Sequence, residues 1–206
     1  ENGSVAIAYD SRIKSDKFAK EAAAVLAANG IKVYIYSELM PTPMLSWAVR
    51  ELKCQAGIVI TASHNPAKYN GYKVYGEDGC QITLDVANTV IGKINAVEMF
   101  GGAKVMDFED GIKSGKIEYI KQDVIDKYLD KVAQQGVHTD LVADSGLKVV
   151  YTPLNGTGNK PVRAILKKIG IKEVTVVPEQ ENPDGNFPTC PFPNPEIKEA
   201  LAKGLE

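Results

Sequence analysis

A serine follows an apolar run directly, and side chains able to carry a proton lie close to it in the sequence. Residues 61–66 read Thr-Ala-Ser-His-Asn-Pro and come after Ala56–Ile60, so the Ser63 hydroxyl is predicted at the carboxyl end of a buried strand. Open α/β sheets place their chemistry at that edge. Farther on, Asn70-Gly71 predicts a tight turn that folds further side chains back toward the serine. A nucleophile and candidate bases therefore lie within one short stretch.

Other reactive patterns are incomplete. The hydrolase motif G-x-S-x-G is missing, and His138, the other histidine, lies in a polar stretch typical of a linker. Residues 155–160 have the composition of a phosphate-binding turn but lack the Walker spacing, so we interpret them as a turn. Residues 183–186 lack the carboxylate spacing of a calcium loop, and we expect a rigid loop there.

Composition excludes several classes of protein. The chain has 206 residues, 44% hydrophobic and 24% charged, which predicts one or two globular domains. A formal net charge of -2 argues against a nucleic-acid partner. A membrane-spanning apolar stretch and a signal peptide are not visible, so a cytoplasmic location is the default expectation. Cys54, Cys80 and Cys190 form no C-x-x-C pair, and we expect buried or partly buried thiols.

Apolar runs rich in β-formers alternate with stretches of helical period, which predicts an α/β fold with mixed, mostly parallel sheets flanked by helices. Ser15 is expected to cap the first helix, which carries Phe18, Ala22, Val25 and Leu26 along one face. The glycine-rich residues 100–116 are typical of a surface excursion. Strands are predicted at 5–9, 31–36, 56–61, 73–75, 148–151 and 174–177. Helices are predicted from 15, 43, 83 or 85, 120, 161 and 195.

The serine segment, followed by Tyr-Asn-Gly-Tyr-Lys at 69–73, resembles the phosphoserine loop of the α-D-phosphohexomutases, the phosphoglucomutase and phosphomannomutase family. Four other segments resemble parts of the same family: 9–12, 41–43, 153–158 and 183–189. The resemblance implies two consecutive domains of this family. We predict domain 1 at 1–120, with the phosphoserine loop, and domain 2 at 121–206.

The resemblance also implies roles for individual residues. Ser63 would carry the phosphoryl group, and its phosphate would be one metal ligand. Lys73 would act as general acid and base. Arg12, His64 and Asn65 would bind or position the phosphate and substrate. On other readings Arg12 forms a surface ion pair with Asp10 or Asp16, His64 bonds the loop backbone, and Asn65 braces the loop.

The expected reaction is interconversion of glucose 1-phosphate and glucose 6-phosphate, with Mg²⁺ in the full-length protein and glucose 1,6-bisphosphate as activator. A phosphopentomutase, a phosphomannomutase and a non-catalytic phosphosugar-binding module are the alternatives. The family's D-x-D-x-D-R metal loop, its G-E-x-S-G sugar loop, its C-terminal phosphate loop and its first N-terminal segment are not found in the 206 residues. We therefore expect a fragment without turnover of its own. The oligomeric state has no sequence signature here.

Overall fold

A five-stranded sheet forms the centre of the first half of the chain. The computed structural model describes residues 3–98 and 101–206. The sheet order is β4-β3-β1-β2-β5; β4 runs antiparallel to β3, and the other pairings are parallel. The strands are β1 Ser4–Tyr9, β2 Lys32–Ile35, β3 Ala56–Ile60, β4 Tyr72–Gly76 and β5 Ile117–Tyr119. The predicted mixed, mostly parallel α/β arrangement is confirmed.

Helices cover both faces of this sheet. On one face the buried alanines of α1 pack on Ile7 and Ile58, and on the other face Leu45 and Val49 of α2 pack on β1, β3 and β4. Because both faces are covered, the central strands are apolar at nearly every position. The helices of this half are α1 Ser15–Ala28, α2 Thr42–Glu51, α3 Leu84–Asn95, α4 Phe108–Lys113 and α5 Gln122–Ala133.

A second, smaller α/β unit follows around two parallel strands. The strands are β6 Lys148–Tyr151 and β7 Glu173–Val176. The helices are α6 Thr139–Asp144, α7 Asn159–Lys168, α8 Pro178–Glu181 and α9 Lys198–Leu205. Helix α5 contacts both α2 and α7, and the Trp47 indole donates a hydrogen bond to the Val124 carbonyl over 2.9 Å. The domain boundary at residue 120 stays a prediction.

Most of the predicted surface excursion at 100–116 is exposed, but its second half also contains a short helix that packs on the core. Residues 108–113 form α4, whose Phe108 and Ile112 pack on the core beside the fully buried Ile117. Gly111 is buried, and a Cβ added to it would lie 2.5 Å from the Ile117 side chain. Glycine therefore serves close packing here, not a mobile loop. Phe100, where the excursion was expected to begin, lies outside the described residues.

The predicted cap of α1 is wrong. Lys14, with φ 66°, is the residue before the helix, and Ser15 is the first helical residue, with no exposed surface. Ser15, Ala19, Ala23 and Ala27 share the buried face of the helix at helical spacing. Phe18 lies off that face and is 47% exposed.

The expectation of buried or partly buried thiols holds for two of the three cysteines. Cys54 is 1% exposed and Cys190 is 5% exposed, whereas Cys80 is exposed. Cys80 follows the turn at 76–79, which holds it at the surface. Burial raises the pKa of the Cys54 and Cys190 thiols. In the described ranges 3–98 and 101–206, no helix is long and apolar enough to cross a membrane.

Substituting Gly57 with alanine should destabilise the protein, because the new Cβ would lie 2.5 Å from the Val49 side chain of α2. Such overpacking costs about 1 to 3 kcal/mol. Gly92 of α3 is the matched control: nothing lies within 4 Å of its added Cβ. Gly92→Ala should raise stability by roughly 0.5 to 1 kcal/mol through helix propensity. Urea unfolding of both variants checks this, and equal shifts would contradict the packing.

Thiol labelling of the native protein near pH 8 should modify Cys80 well before Cys54 and Cys190. A raised pKa leaves less thiolate, and burial also restricts access to the two slower sulfurs. Peptide mass mapping at short times measures each site. If Cys54 or Cys190 is modified as quickly as Cys80, the placement of these thiols is wrong.

Candidate active site at the end of strand β3

Ser63 is the exposed residue at the centre of the loop that leaves β3. Its φ is 57°, in the left-handed region, and its N–H donates to Thr61 Oγ1 over 3.0 Å. A left-handed conformation costs a non-glycine residue about 1 to 2 kcal/mol, so neighbouring groups must hold it. This conformation places the hydroxyl at the carboxyl end of the central strands, as predicted, where it is open to solvent.

The guanidinium of Arg12 holds this loop by its backbone. Nη1 donates to the carbonyl oxygens of Pro66 and Tyr69, and Nη2 donates to those of Ser63 and Asn65, over 2.5 to 3.0 Å. Arg12 is 3% exposed. One planar fork therefore organises the whole serine loop, a task that suits the fixed geometry of arginine.

Asp10 neutralises the buried guanidinium. Its Oδ2 lies 3.3 Å from Arg12 Nε, close enough for an ion pair although the angle makes no hydrogen bond. Its Oδ1 accepts hydrogen bonds from the backbone N–H of Arg12 and from the Ser15 hydroxyl. Ser15 Oγ in turn accepts a hydrogen bond from Asn70 Nδ2. Burial lowers the pKa of Arg12, and the charge of Asp10 partly offsets this. The network joins β1, α1 and the serine loop.

A contact between Arg12 and a phosphoryl group stays a prediction, and it would have to replace hydrogen bonds that the guanidinium already makes. Its terminal nitrogens carry four N–H groups in all, and each already donates to a carbonyl oxygen. The alternative of a pair with Asp10 holds, but the pair is buried and does not lie on the surface. Arg12 supports the serine from below.

His64 and Asn65 have different surroundings. The Nδ1 atom of His64 lies 3.2 Å from Ser63 Oγ, so the imidazole can exchange a hydrogen bond with the hydroxyl itself, not with the loop backbone. Asn65 braces the loop, because its Nδ2 donates to the Ala62 carbonyl over 2.9 Å. Both residues are exposed. A role in substrate binding stays a prediction for each.

Lys73 is half-buried on β4, opposite Val59 of β3. Alternation along the strand puts its side chain on the same face as Tyr75, which packs in the core beneath α2. Among the described residues the Lys73 ammonium makes no hydrogen bond or ion pair, and its role as acid and base stays a prediction.

The predicted tight turn at Asn70-Gly71 is wrong, because residues 61–71 together form the connection between β3 and β4. The Thr61 N–H donates to the Gly71 carbonyl over 3.0 Å and closes the base of this loop. A Cβ on Gly71 would lie 2.6 Å from the Thr61 carbonyl oxygen. The glycine is needed for this close backbone approach.

The second unit supplies one wall of the cleft that Ser63 faces, which the sequence analysis missed. Residues 155–160 are predicted only as a turn; the turn lies at 154–158, α7 begins at Asn159, and residues 153–158 also border a cleft of about 330 Å³. Its lining comes from both units: Asp10, Ser11, Pro41, Thr42, Pro43, Thr61 and Ser63, with Pro153, Leu154, Gly156, Thr157, Gly158, Phe187 and Pro193. A wall contributed from so far along the chain leaves no local pattern.

Asn155 fixes that wall. It is 4% exposed, with φ 55°, and its Nδ2 donates to the carbonyls of Glu179 and Asn182. Its own carbonyl accepts the Asp184 N–H over 3.1 Å. The turn at 153–158 and the loop at 183–188 are therefore tied together by hydrogen bonds of Asn155.

Comparison with known proteins identifies this architecture. Residues 1–100 match the family described as phosphoglucomutase/phosphomannomutase, alpha/beta/alpha domain I, and residues 126–206 match its alpha/beta/alpha domain II. The chain belongs to the phosphoglucomutase/phosphomannomutase family.

Relatives within the family carry several names. A phosphoglucomutase from Staphylococcus saprophyticus is 38% identical over 206 residues, covering 100% of this chain and 37% of its own length. A phosphoribomutase from Saccharomyces cerevisiae is 38% identical over 218 residues, with 97% and 34% covered. The crystal structure of a phosphoglucomutase/phosphomannomutase family protein from Burkholderia thailandensis is 25% identical with a TM-score of 0.72, with 97% and 40% covered. The chain thus spans 34% to 37% of the length of these two curated relatives.

The magnesium ion expected from the family finds no complete site here. Across residues 3–98 and 101–206, no three or more His, Cys, Asp or Glu side chains come together as metal ligands. Asp10, the carboxylate of the cleft lining, is already committed to Arg12 and Ser15. The described residues by themselves do not fit a magnesium site.

Substituting Arg12 with lysine should destabilise the protein by roughly 2 to 3 kcal/mol, because an ammonium cannot reach four carbonyl oxygens and leaves buried acceptors unpaired. Arg50→Lys is the control, since Arg50 is exposed and its Nε donates to the Ser46 carbonyl of its own helix. The control should change stability by less than about 0.5 kcal/mol. Thermal unfolding measures both, and similar values for the two variants would refute the loop-holding role.

Proposed function

We propose that the full-length protein moves a phosphoryl group reversibly between the 1- and 6-positions of glucose phosphate, with Ser63 as the carrier and glucose 1,6-bisphosphate as the intermediate. The observation that carries the proposal is an exposed serine, held in a left-handed conformation by a buried arginine, at the mouth of a cleft. The volume of about 330 Å³ is in the range of small-molecule sites. Family membership supports a sugar phosphate as the substrate class.

The described residues that line the cleft include no arginine, but helix ends give it a positive potential. Thr42 at the first turn of α2 and Gly158, directly before α7, both line it, so two helix amino ends face the space beside Ser63. The partial positive charge and free N–H groups of such ends suit phosphate oxygens. This arrangement supports a phosphorylated Ser63 while Arg12 keeps its bonds to the loop carbonyls.

The proposed transfer has two half-reactions. A sugar hydroxyl attacks the phosphorus of phosphoserine, the new P–O bond forms, the bond to Ser63 Oγ breaks, and the proton passes from the sugar oxygen to the serine oxygen. In the second half-reaction Ser63 Oγ attacks the other phosphate of the bisphosphate, the bond from that phosphorus to the sugar oxygen breaks, and the proton returns to the sugar oxygen. We assign the proton relay to Lys73 of β4, the strand paired with the one that Ser63 follows. His64, 3.2 Å from Ser63 Oγ, orients the hydroxyl between transfers, and Asn65 keeps the loop braced.

Magnesium belongs to the proposal as a cofactor of the full-length protein. The phosphate on Ser63 is the ligand that this chain would offer, and the ion would supply neutralisation of charge on the transferring group. The proposed roles of Ser63, Lys73 and His64 stand on their own positions.

The sugar is the least constrained part of the proposal. Relatives named phosphoglucomutase and phosphoribomutase are equally similar, each at 38% identity. Glucose 1-phosphate is our first choice, and ribose 1-phosphate should be assayed beside it.

The test is turnover of glucose 1-phosphate by the full-length protein, with Mg²⁺ and trace glucose 1,6-bisphosphate. Ser63→Ala should abolish both turnover and the incorporation of labelled phosphate, because it removes the oxygen to which the proposal attaches the phosphoryl group. Ser37→Ala is the matched control, since Ser37 is exposed and lies outside the cleft lining. It should retain wild-type turnover.

Two outcomes would refute the proposal. Turnover by Ser63→Ala would remove the phosphoserine step. Binding of sugar phosphates by the wild-type protein without turnover of glucose, mannose or ribose phosphates would favour a non-catalytic binding module.

A further inference from the structure

A loop of the second unit is packed directly on the arginine that holds the serine loop. The ring of Phe187 lies over the guanidinium of Arg12, with its centroid 5.3 Å from Cζ. Phe187 is 4% exposed and has φ 48°, a conformation that a phenylalanine adopts only where its surroundings impose it. The ring covers the side chain that fixes Ser63.

The backbone of the same loop touches the arginine segment. A Cβ added to Gly185 would lie 2.6 Å from the Ile13 nitrogen, 2.7 Å from the Ser11 oxygen and 3.0 Å from the Arg12 carbonyl carbon. These are backbone atoms that cannot swing away. Residue 185 must therefore be glycine for this contact to form.

The loop that makes both contacts is internally rigid. Asp184 Oδ1 accepts hydrogen bonds from the backbone and side-chain nitrogens of Asn186, over 2.8 and 3.0 Å. The Asp184 N–H donates to Asn155, and the Cys190 N–H donates to the Phe187 carbonyl. A displacement of the cleft wall around Asn155 is thus transmitted to Phe187.

We propose that Phe187 and Gly185 are positioning residues for phosphoryl transfer, acting on Ser63 through Arg12. The inference rests on the proposed mutase function. The aromatic face replaces water on one side of the guanidinium. Exclusion of water strengthens the four hydrogen bonds that the guanidinium donates, and the ring face also attracts the positive charge. Docking of the second unit thereby sets the conformation of a catalytic loop in the first.

The test compares Phe187→Leu with Phe187→Tyr in the full-length protein. Leucine keeps apolar bulk but removes the ring face, so amide exchange in the peptide covering 63–70 should become about tenfold faster, and kcat should fall by about tenfold. The KM for glucose 1-phosphate should change by less than about threefold, because Arg12 acts on the loop and not on the sugar. Tyrosine keeps the ring and should restore most of both losses.

Phe192→Leu is the matched control. Phe192 is on the same stretch of chain but is 47% exposed and is not in contact with Arg12 in the described structure. It should leave exchange in 63–70 and kcat unchanged. Gly185→Ala, which clashes with backbone, should reproduce Phe187→Leu; thermal unfolding shows that each variant is folded at the assay temperature.

The outcomes separate this inference from the proposed function. Wild-type turnover with unchanged exchange in 63–70 for Phe187→Leu and Gly185→Ala overturns the inference alone. A large rise in KM at constant kcat also overturns it, because Phe187 would then act on the substrate. Faster exchange in a protein whose wild type has no turnover and no phosphate on Ser63 overturns the proposed function while supporting the coupling through Arg12.

Discussion

The buried guanidinium of Arg12 is the interaction on which the rest of the site depends. It donates hydrogen bonds to four backbone carbonyls of the serine loop, forms an ion pair with Asp10, and is covered by the ring of Phe187. Burying a cation is costly unless it is paired with an opposite charge and hydrogen-bonded, so Asp10 and the serine loop must come together around it. The left-handed backbone of Ser63 is stable only inside that arrangement.

Backbone strain in the described residues is concentrated around this cation. The non-glycine residues with positive φ include Lys14 beside Arg12, Ser63 itself, Leu154 and Asn155 in the cleft wall, and Phe187. Lys53, at the end of α2, is the exception. Such conformations persist where the surroundings over-determine them, and here both units contribute to one rigid lining. A rigid lining is what transfer of a phosphoryl group to a fixed oxygen requires, because misplacement by an ångström is costly.

The sequence was a good guide to strands and a poor one to tertiary roles. Apolar runs such as Ala56–Ile60 and the motif around Ser63 predicted the α/β class and the placement of the serine at a strand end. The role of Arg12 could not be read, because an arginine near a phosphoserine motif suggests phosphate until its partners, carbonyls at 63–69, are known. The predictions at Ser15 and at Asn70-Gly71 failed for the same reason, because the rules for caps and turns assume partners within the same cap or turn. The Ser15 hydroxyl donates to Asp10 instead, and the Gly71 carbonyl accepts from Thr61. The strand at Ile117 was hidden among glycines that serve packing.

The most direct test of this account is a crystal structure of the full-length protein with Ser63 phosphorylated. We expect both terminal nitrogens of Arg12 to remain bound to the carbonyls of Ser63, Asn65, Pro66 and Tyr69, with the phosphoryl oxygens bound by other groups of the cleft. An Arg12 guanidinium turned out of the loop and in direct contact with the phosphate would contradict the central claim. The loop would then be held by the phosphate, and not by the arginine.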